Sequence, residues 1–108
     1  MRFSVHELPR AKEDKRQILL WLLGRSRQGA AAWLSAYDDA LQRLEQDANS
    51  YGQAAENNDC PRVDVRQALF KTRRGRVYRV VFFIEGTDAY VLRVRGSGQP
   101  PLQPDELH

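Results

Sequence analysis

Val77-Tyr78-Arg79-Val80-Val81-Phe82-Phe83-Ile84-Glu85, then Gly86-Thr87-Asp88, then Ala89-Tyr90-Val91-Leu92-Arg93-Val94-Arg95 form the most informative run of this 108-residue chain. The first segment is β-branched and aromatic almost throughout, the second holds turn residues, and the third is again strand-like, so the run reads as a β-hairpin. The loop length sets which side chains share a face. A three-residue loop of Gly86, Thr87 and Asp88 pairs Glu85 with Ala89. Ile84 then meets Tyr90, Phe82 meets Leu92 and Val80 meets Val94, an apolar face suited to packing on helices. The opposite face holds Arg79, Val81, Phe83, Val91, Arg93 and Arg95. A two-residue loop sets Arg79 against Val94 and mixes charge into the core. Burying charge is costly, so the three-residue register is expected.

Working back from the hairpin, Arg73-Arg74-Gly75-Arg76 reads as a basic turn and Val63 to Thr72 as the strand before it. Ala48 to Arg62 is polar and irregular, a long surface loop. From about Ala30 to Asp47, the residues Trp33, Ala36, Tyr37, Ala40, Leu41 and Leu44 recur at helical spacing. Arg10 to about Ser26 is a second helical segment, with Ala11, Ile18, Leu19, Leu22 and Leu23 near one face and Leu20 and Trp21 widening it. Gly24 to Gly29 connects the two as an antiparallel hairpin. Arg2 to Leu8 alternates around Phe3 and Val5 as a short strand, and Pro9 suits a helix start. The expected fold class is α+β: an N-terminal strand, a two-helix antiparallel hairpin, then a three-stranded antiparallel meander, with the helices on one face of the sheet and the other face open. Residues 1–108 read as a single domain, with a surface tail from about 97 to 108.

Hydrophobic residues make up 42% of the chain and charged residues 29%, values that suit a globular domain rather than a disordered one. The formal net charge is only +3 and the pI about 9.4, so the placement of charge matters more than its sum. Lys71, Arg73, Arg74, Arg76 and Arg79 cluster, followed by Arg93 and Arg95. Such a cluster suits a phosphate backbone, an acidic protein partner, or a solvated face. Arginine holds phosphate in bidentate fashion, and Tyr78 and Phe83 offer rings on which bases stack. Two histidines and one cysteine without ligand spacing predict no metal site, and nothing implies a cofactor. Cys60 has no partner for a disulfide and no neighbouring His or Lys to activate it, which suits a reducing cytoplasm and argues against thiol catalysis. The N-terminus lacks an apolar signal core, and Ile18 to Leu23 is too short to span a bilayer, so no membrane role is expected.

The segments Val65-Arg66-Gln67-Ala68-Leu69-Phe70-Lys71-Thr72-Arg73-Arg74-Gly75, Val77-Tyr78-Arg79-Val80-Val81-Phe82 and Val91-Leu92-Arg93-Val94-Arg95-Gly96 resemble the core of the RelE/ParE toxins of type II toxin–antitoxin systems, a group that includes plasmid-stabilisation proteins. That family shows a YRvxF-like strand, a hairpin and a vLxVRxG-like strand. Tyr51 to Asn57, Ala31-Ala32-Trp33 and Leu41-Gln42-Arg43-Leu44 fit the family's loop and helical hairpin, so the resemblance spans nearly the whole chain. It implies a microbial-ribonuclease-like α+β fold and a cognate antitoxin as partner. It implies a target that is either mRNA in the ribosomal A site or, in the ParE branch, DNA gyrase.

RNA cleavage needs a base for the ribose 2′-OH, an acid for the leaving 5′-oxygen and cations for the transition state. By resemblance, Arg79 lies at the scissile phosphate, Lys71 and Arg73 match basic positions on the preceding strand, and Arg95 matches the arginine of the last strand. The implied catalytic set is Arg79, Lys71 and Arg95, with Arg73, Arg74, Arg76 and Arg93 contacting RNA phosphates. The first expectation is therefore a toxin that inhibits translation as a metal-independent, ribosome-dependent endoribonuclease. The alternatives are a non-enzymatic poison of gyrase and a non-toxic protein-binding module. The chain departs from the cleaving pattern at Gly96-Ser97-Gly98, where many members carry His or a further basic residue, and its tail has no tyrosine. His6 is expected on the same face as Arg79, and His108 is terminal. The acid/base pair is left open.

Overall fold

A computed structural model of the chain describes residues 2–54, 64–73 and 75–96. The readings made above for Cys60, Val63, Arg74, His108 and the tail from residue 97 lie outside the described residues. Strand β1 (Ser4–Glu7) leads into helix α1 (Pro9–Leu23) and helix α2 (Arg27–Asp47), and a short 3₁₀ turn follows at Ala48–Ser50. Strands β2 (Val65–Phe70), β3 (Tyr78–Glu85) and β4 (Asp88–Gly96) complete the order. The sheet order is β1-β4-β3-β2, with β1 parallel to β4 and the other pairs antiparallel. The expected α+β architecture is thus present, and the N-terminal strand is added beside the last one.

Local chemistry sets the helix ends. Pro9 sits in the first turn of α1, where its missing N–H removes no hydrogen bond. The helix stops at Leu23, where its apolar stripe ends, rather than at about Ser26 as expected, and the Gly24 amide closes back on the Leu20 carbonyl at 3.2 Å. Ser26 caps α2: its Oγ accepts from the Gly29 amide at 3.0 Å, so the helix starts at Arg27 and absorbs Gln28 and Gly29, which read as loop in the sequence.

The helices cover one face of the sheet. Trp33, Tyr37, Ala40 and Leu44 of α2 pack with Phe70, Val80, Phe82, Val91 and Val94 of the sheet, all buried. Trp33 stacks on Tyr37 at 5.3 Å between ring centroids and meets Phe70 at 5.6 Å. Arg66 ties β2 to the segment before it, donating to the Asn49 and Tyr51 carbonyls, each at 2.7 Å, and to Asp64.

The hairpin register corrects the sequence reading. The turn has two residues: Glu85 pairs with Asp88, Ile84 with Ala89, Phe83 with Tyr90 and Phe82 with Val91. Gly86 has φ 64° and Thr87 does not have positive φ, the pattern of a type II′ turn. The register then shifts between Phe82 and Val81, after which Val81 pairs with Arg93, Val80 with Val94 and Arg79 with Arg95. Leu92 is the extra residue of a β-bulge. Tyr90 and Leu92 therefore do not join the helix-facing core as expected; Ala89 and Val91 do. The bulge reconciles two demands: a two-residue turn favoured by strand twist, and an Arg79 kept away from Val94. The face away from the helices is also less open than expected. Val65, Val81, Leu92 and Ala54 form a second buried apolar cluster there, with Leu8 and Phe83 against it.

Candidate functional site

Alternation along β3 puts Arg79, Val81 and Phe83 on the side away from the helices, since Val80 and Phe82 belong to the helix-facing core. The register then defines rows across the sheet. In the first row, Arg79 lies between Leu69 of β2 and Arg95 of β4. Directly opposed residues have Cβ atoms about 5 Å apart, and like charges so placed repel one another. Arginines paired on neighbouring strands suit an anion that both can reach. The Arg79 guanidinium also donates to Gln67 Oε1 at 3.4 Å. Leu69, at 58% relative exposure, gives this row an apolar outer end.

The second row holds Gln67, Val81 and Arg93. Arg93 is committed elsewhere: its Nε and Nη2 donate to the Asp14 carboxylate of α1 at 2.7 and 2.9 Å. The Val94 amide donates to the same carboxylate at 3.0 Å. Both charged side chains are largely buried. Asp14 thus fastens α1 to β4 beyond the point where β1 ends, and Arg93 reaches a phosphate only if that pair opens. Sequence reading gave no sign of this, because 79 positions separate the two residues.

The third row runs Val65, Phe83, Tyr90, His6 across all four strands. Its rings form a ladder: His6 stacks on Tyr90 at 4.9 Å, and Tyr90 on Phe83 at 4.9 Å. His6 Nε2 lies 2.9 Å from Asp88 Oδ1, a half-exposed pair. Four residues along β3 separate this row from Arg79, a rise of about 13 Å. His6 therefore shares a face with Arg79, as expected, but not a site. Asp88 and Tyr90 were not singled out in the sequence; the signal was the alternation of β4 once its turn is read as two residues long.

The remaining sequence-predicted cations sit around the β2–β3 turn. Lys71, Arg73 and Arg76 are all exposed. Tyr78 faces the helix side, edge-on to Trp33 at 5.6 Å, so it is not a stacking ring on the arginine face. A further polar group lies between the helices and β1: Tyr37 Oη donates to Glu7 Oε2 at 2.7 Å, and Lys15 Nζ approaches the same oxygen at 3.6 Å. Burial, reinforced by the bond to Glu7, pushes the Tyr37 hydroxyl well above its ordinary pKa. Among the described residues, no group of three His, Cys, Asp or Glu side chains is arranged to hold a metal. No described helix is long and apolar enough to cross a membrane.

No protein-family model matches the sequence, and a comparison with curated proteins returns no match. Among solved structures, a chain of "Chromosomal ParDE TA system from P. aeruginosa" is similar, with a TM-score of 0.62 and 18% sequence identity. The match covers 88% of this chain and 96% of that one. At that identity the likeness establishes the fold: this chain has the architecture found in a ParDE toxin–antitoxin structure, as the sequence resemblance implied.

Proposed function

We propose that this chain is the toxin of a toxin–antitoxin pair and that it acts by binding its target rather than by cutting RNA. The observation that carries the first half is the near-complete structural overlap, in both directions, with a chain of a ParDE system. The second half rests on what surrounds the arginine pair. The row of Arg79 and Arg95 ends in Leu69, and an arginine side chain does not exchange its proton near neutral pH. His6, the histidine among the described residues, lies about 13 Å away along the sheet. A cationic, partly apolar face with no histidine beside it among the described residues suits docking on an acidic or phosphate-bearing surface better than it suits acid–base cleavage. By the ParE side of the resemblance, the target is DNA gyrase and the partner is a cognate antitoxin.

Cleavage of mRNA on the ribosome is the second reading, favoured by the directly opposed Arg79 and Arg95 with exposed Lys71, Arg73 and Arg76 nearby in the chain. One pair of assays separates them. The purified protein is added to gyrase with relaxed plasmid, and to a bacterial cell-free translation reaction in which mRNA 5′ ends are mapped. Loss of supercoiling with intact mRNA supports the proposal. Unaffected supercoiling with new codon-phased ends replaces it with cleavage, and Arg79→Ala should then abolish those ends. No effect in either reaction, together with harmless expression in bacteria, refutes the toxin reading.

A further inference from the structure

Helix α1 carries a cluster of cations apart from the arginine row. Lys12, Lys15, Arg16 and Leu19 recur at i, i+3, i+4 and i+7, and with Glu7 of β1 they line a cavity of about 320 Å³. Two of these cations are held in place. Lys15 Nζ lies 3.6 Å from Glu7 Oε2 and 5.3 Å from the centre of the buried Tyr37 ring. Arg16 Nε and Nη2 donate to Glu13 at 3.1 and 3.0 Å, and among the described residues nothing accepts from its Nη1. Lys12 is exposed and has no ion-pair partner among the described residues. The carboxylate in the lining is that of Glu7, and it already accepts from the Tyr37 hydroxyl at 2.7 Å and faces Lys15. The cavity therefore holds surplus positive charge, and most of the N–H donors of its cations are unspent.

We infer that this cavity binds a small phosphate monoester, its phosphoryl oxygens held by Lys12, Lys15 and Arg16 and its organic part lying against Leu19. A monoester is close to doubly charged near neutral pH and offers three strong acceptor oxygens, so it matches three cations where a carboxylate or a phosphodiester, each with one charge, does not. Side chains four positions apart on a helix stand about 5–6 Å apart at Cβ, so Lys12 and Arg16 close on one phosphoryl group from opposite sides. The guanidinium fork supplies directed bonds, and the two ammonium groups supply point charge. The cavity is larger than a phosphoryl group alone, which leaves room for the body that carries it. The site shares no residue with the row of Arg79 and Arg95 and does not depend on the toxin reading.

The test is a titration of the isotopically labelled full chain in low-salt buffer at about pH 7.5, read by backbone amide shifts in nuclear magnetic resonance. The probe is phenyl phosphate. Benzenesulfonate has the same ring with a single charge, and an oligothymidylate without terminal phosphates offers diesters only. The expected result is a saturable shift of Glu7 and of the amides from Lys12 to Leu19, with a Kd below about 5 mM for phenyl phosphate and weaker binding of both competitors. Lys12→Gln, at an exposed position whose side chain holds nothing in the fold, should weaken binding about fivefold, the upper end for one exposed ionic contact. Lys12→Arg keeps the charge and should retain most of the affinity. The inference is overturned by shifts confined to the row of Arg79 and Arg95, by no saturation, by benzenesulfonate or the oligothymidylate binding as tightly as phenyl phosphate, or by unchanged affinity in Lys12→Gln.

Discussion

Asp14→Ala is expected to be among the most damaging single changes on the surface of α1, and the structure sets its size. The Asp14 carboxylate accepts three hydrogen bonds, two from the Arg93 guanidinium and one from the Val94 amide. The Arg93 side chain is 11% exposed and that of Asp14 16%. Truncation takes the Asp14 counter-charge away from a nearly buried guanidinium, a loss that costs about 3–5 kcal/mol in comparable buried pairs. It also strands the Val94 amide. For a chain of this length each kcal/mol moves Tm by about 4 °C, so Tm should fall by about 12–20 °C. Thermal unfolding followed by far-ultraviolet circular dichroism measures this directly. Asp14→Leu combined with Arg93→Met removes both charges and fills the space, and should recover most of the loss. A drop in Tm of less than about 4 °C for Asp14→Ala would show that the pair is solvated and screened, and that Arg93 is available to an outside anion after all.

Tyr37→Phe should cost about 1–2 kcal/mol through loss of the bond to Glu7, and should also flatten the alkaline limb of the stability profile. The folded-state pKa is raised above the ordinary 10.0, so the stabilisation is complete below that pH and is lost as pH rises beyond it, at up to about 1.4 kcal/mol per pH unit. Urea unfolding of both proteins at about pH 9 and about pH 11 checks this, and equal losses in the two contradict it. Gly86→Ala should lower stability by about 1–2 kcal/mol, because a Cβ is strained at φ 64°, and unchanged urea midpoints would refute the turn geometry. Deleting Leu92 should preserve a cooperative fold at a lower Tm, because Val91, Arg93, Val94 and Arg95 then keep their partners in a regular ladder and only the Leu92 side chain is lost from its cluster; loss of the cooperative transition would contradict the register.

The sequence alone carried the architecture. Apolar spacing marked both helices, β-branched and aromatic runs marked the strands, and the Tyr78-Arg79 and Val94-Arg95 patterns placed the chain beside the RelE/ParE toxins, whose fold it has. These signals are local, since each depends on residues a few positions apart, and the period of a helix or strand is written directly into the order of side chains. The directly opposed Arg79 and Arg95 were legible too, once the hairpin had been recognised. The cap at Ser26 was not, because Gly29 looks like a loop residue until its amide is seen to bond the serine hydroxyl.

Tertiary structure decided the rest. Both hairpin registers considered in the sequence have a physical argument behind them, and the chain uses one at the turn and the other beyond Leu92; only cross-strand packing shows that a bulge accommodates both. Asp14 reads as one charge among many on a helix start, yet the crossing of α1 over the free edge of β4 makes it the counter-ion that occupies Arg93. Glu7, Lys15 and Tyr37 come from three separate elements and meet only because both helices pack beside β1. Periodicity reports what a side chain faces, core or water; which distant residue it meets there is set by how the elements are stacked, and no local pattern encodes that.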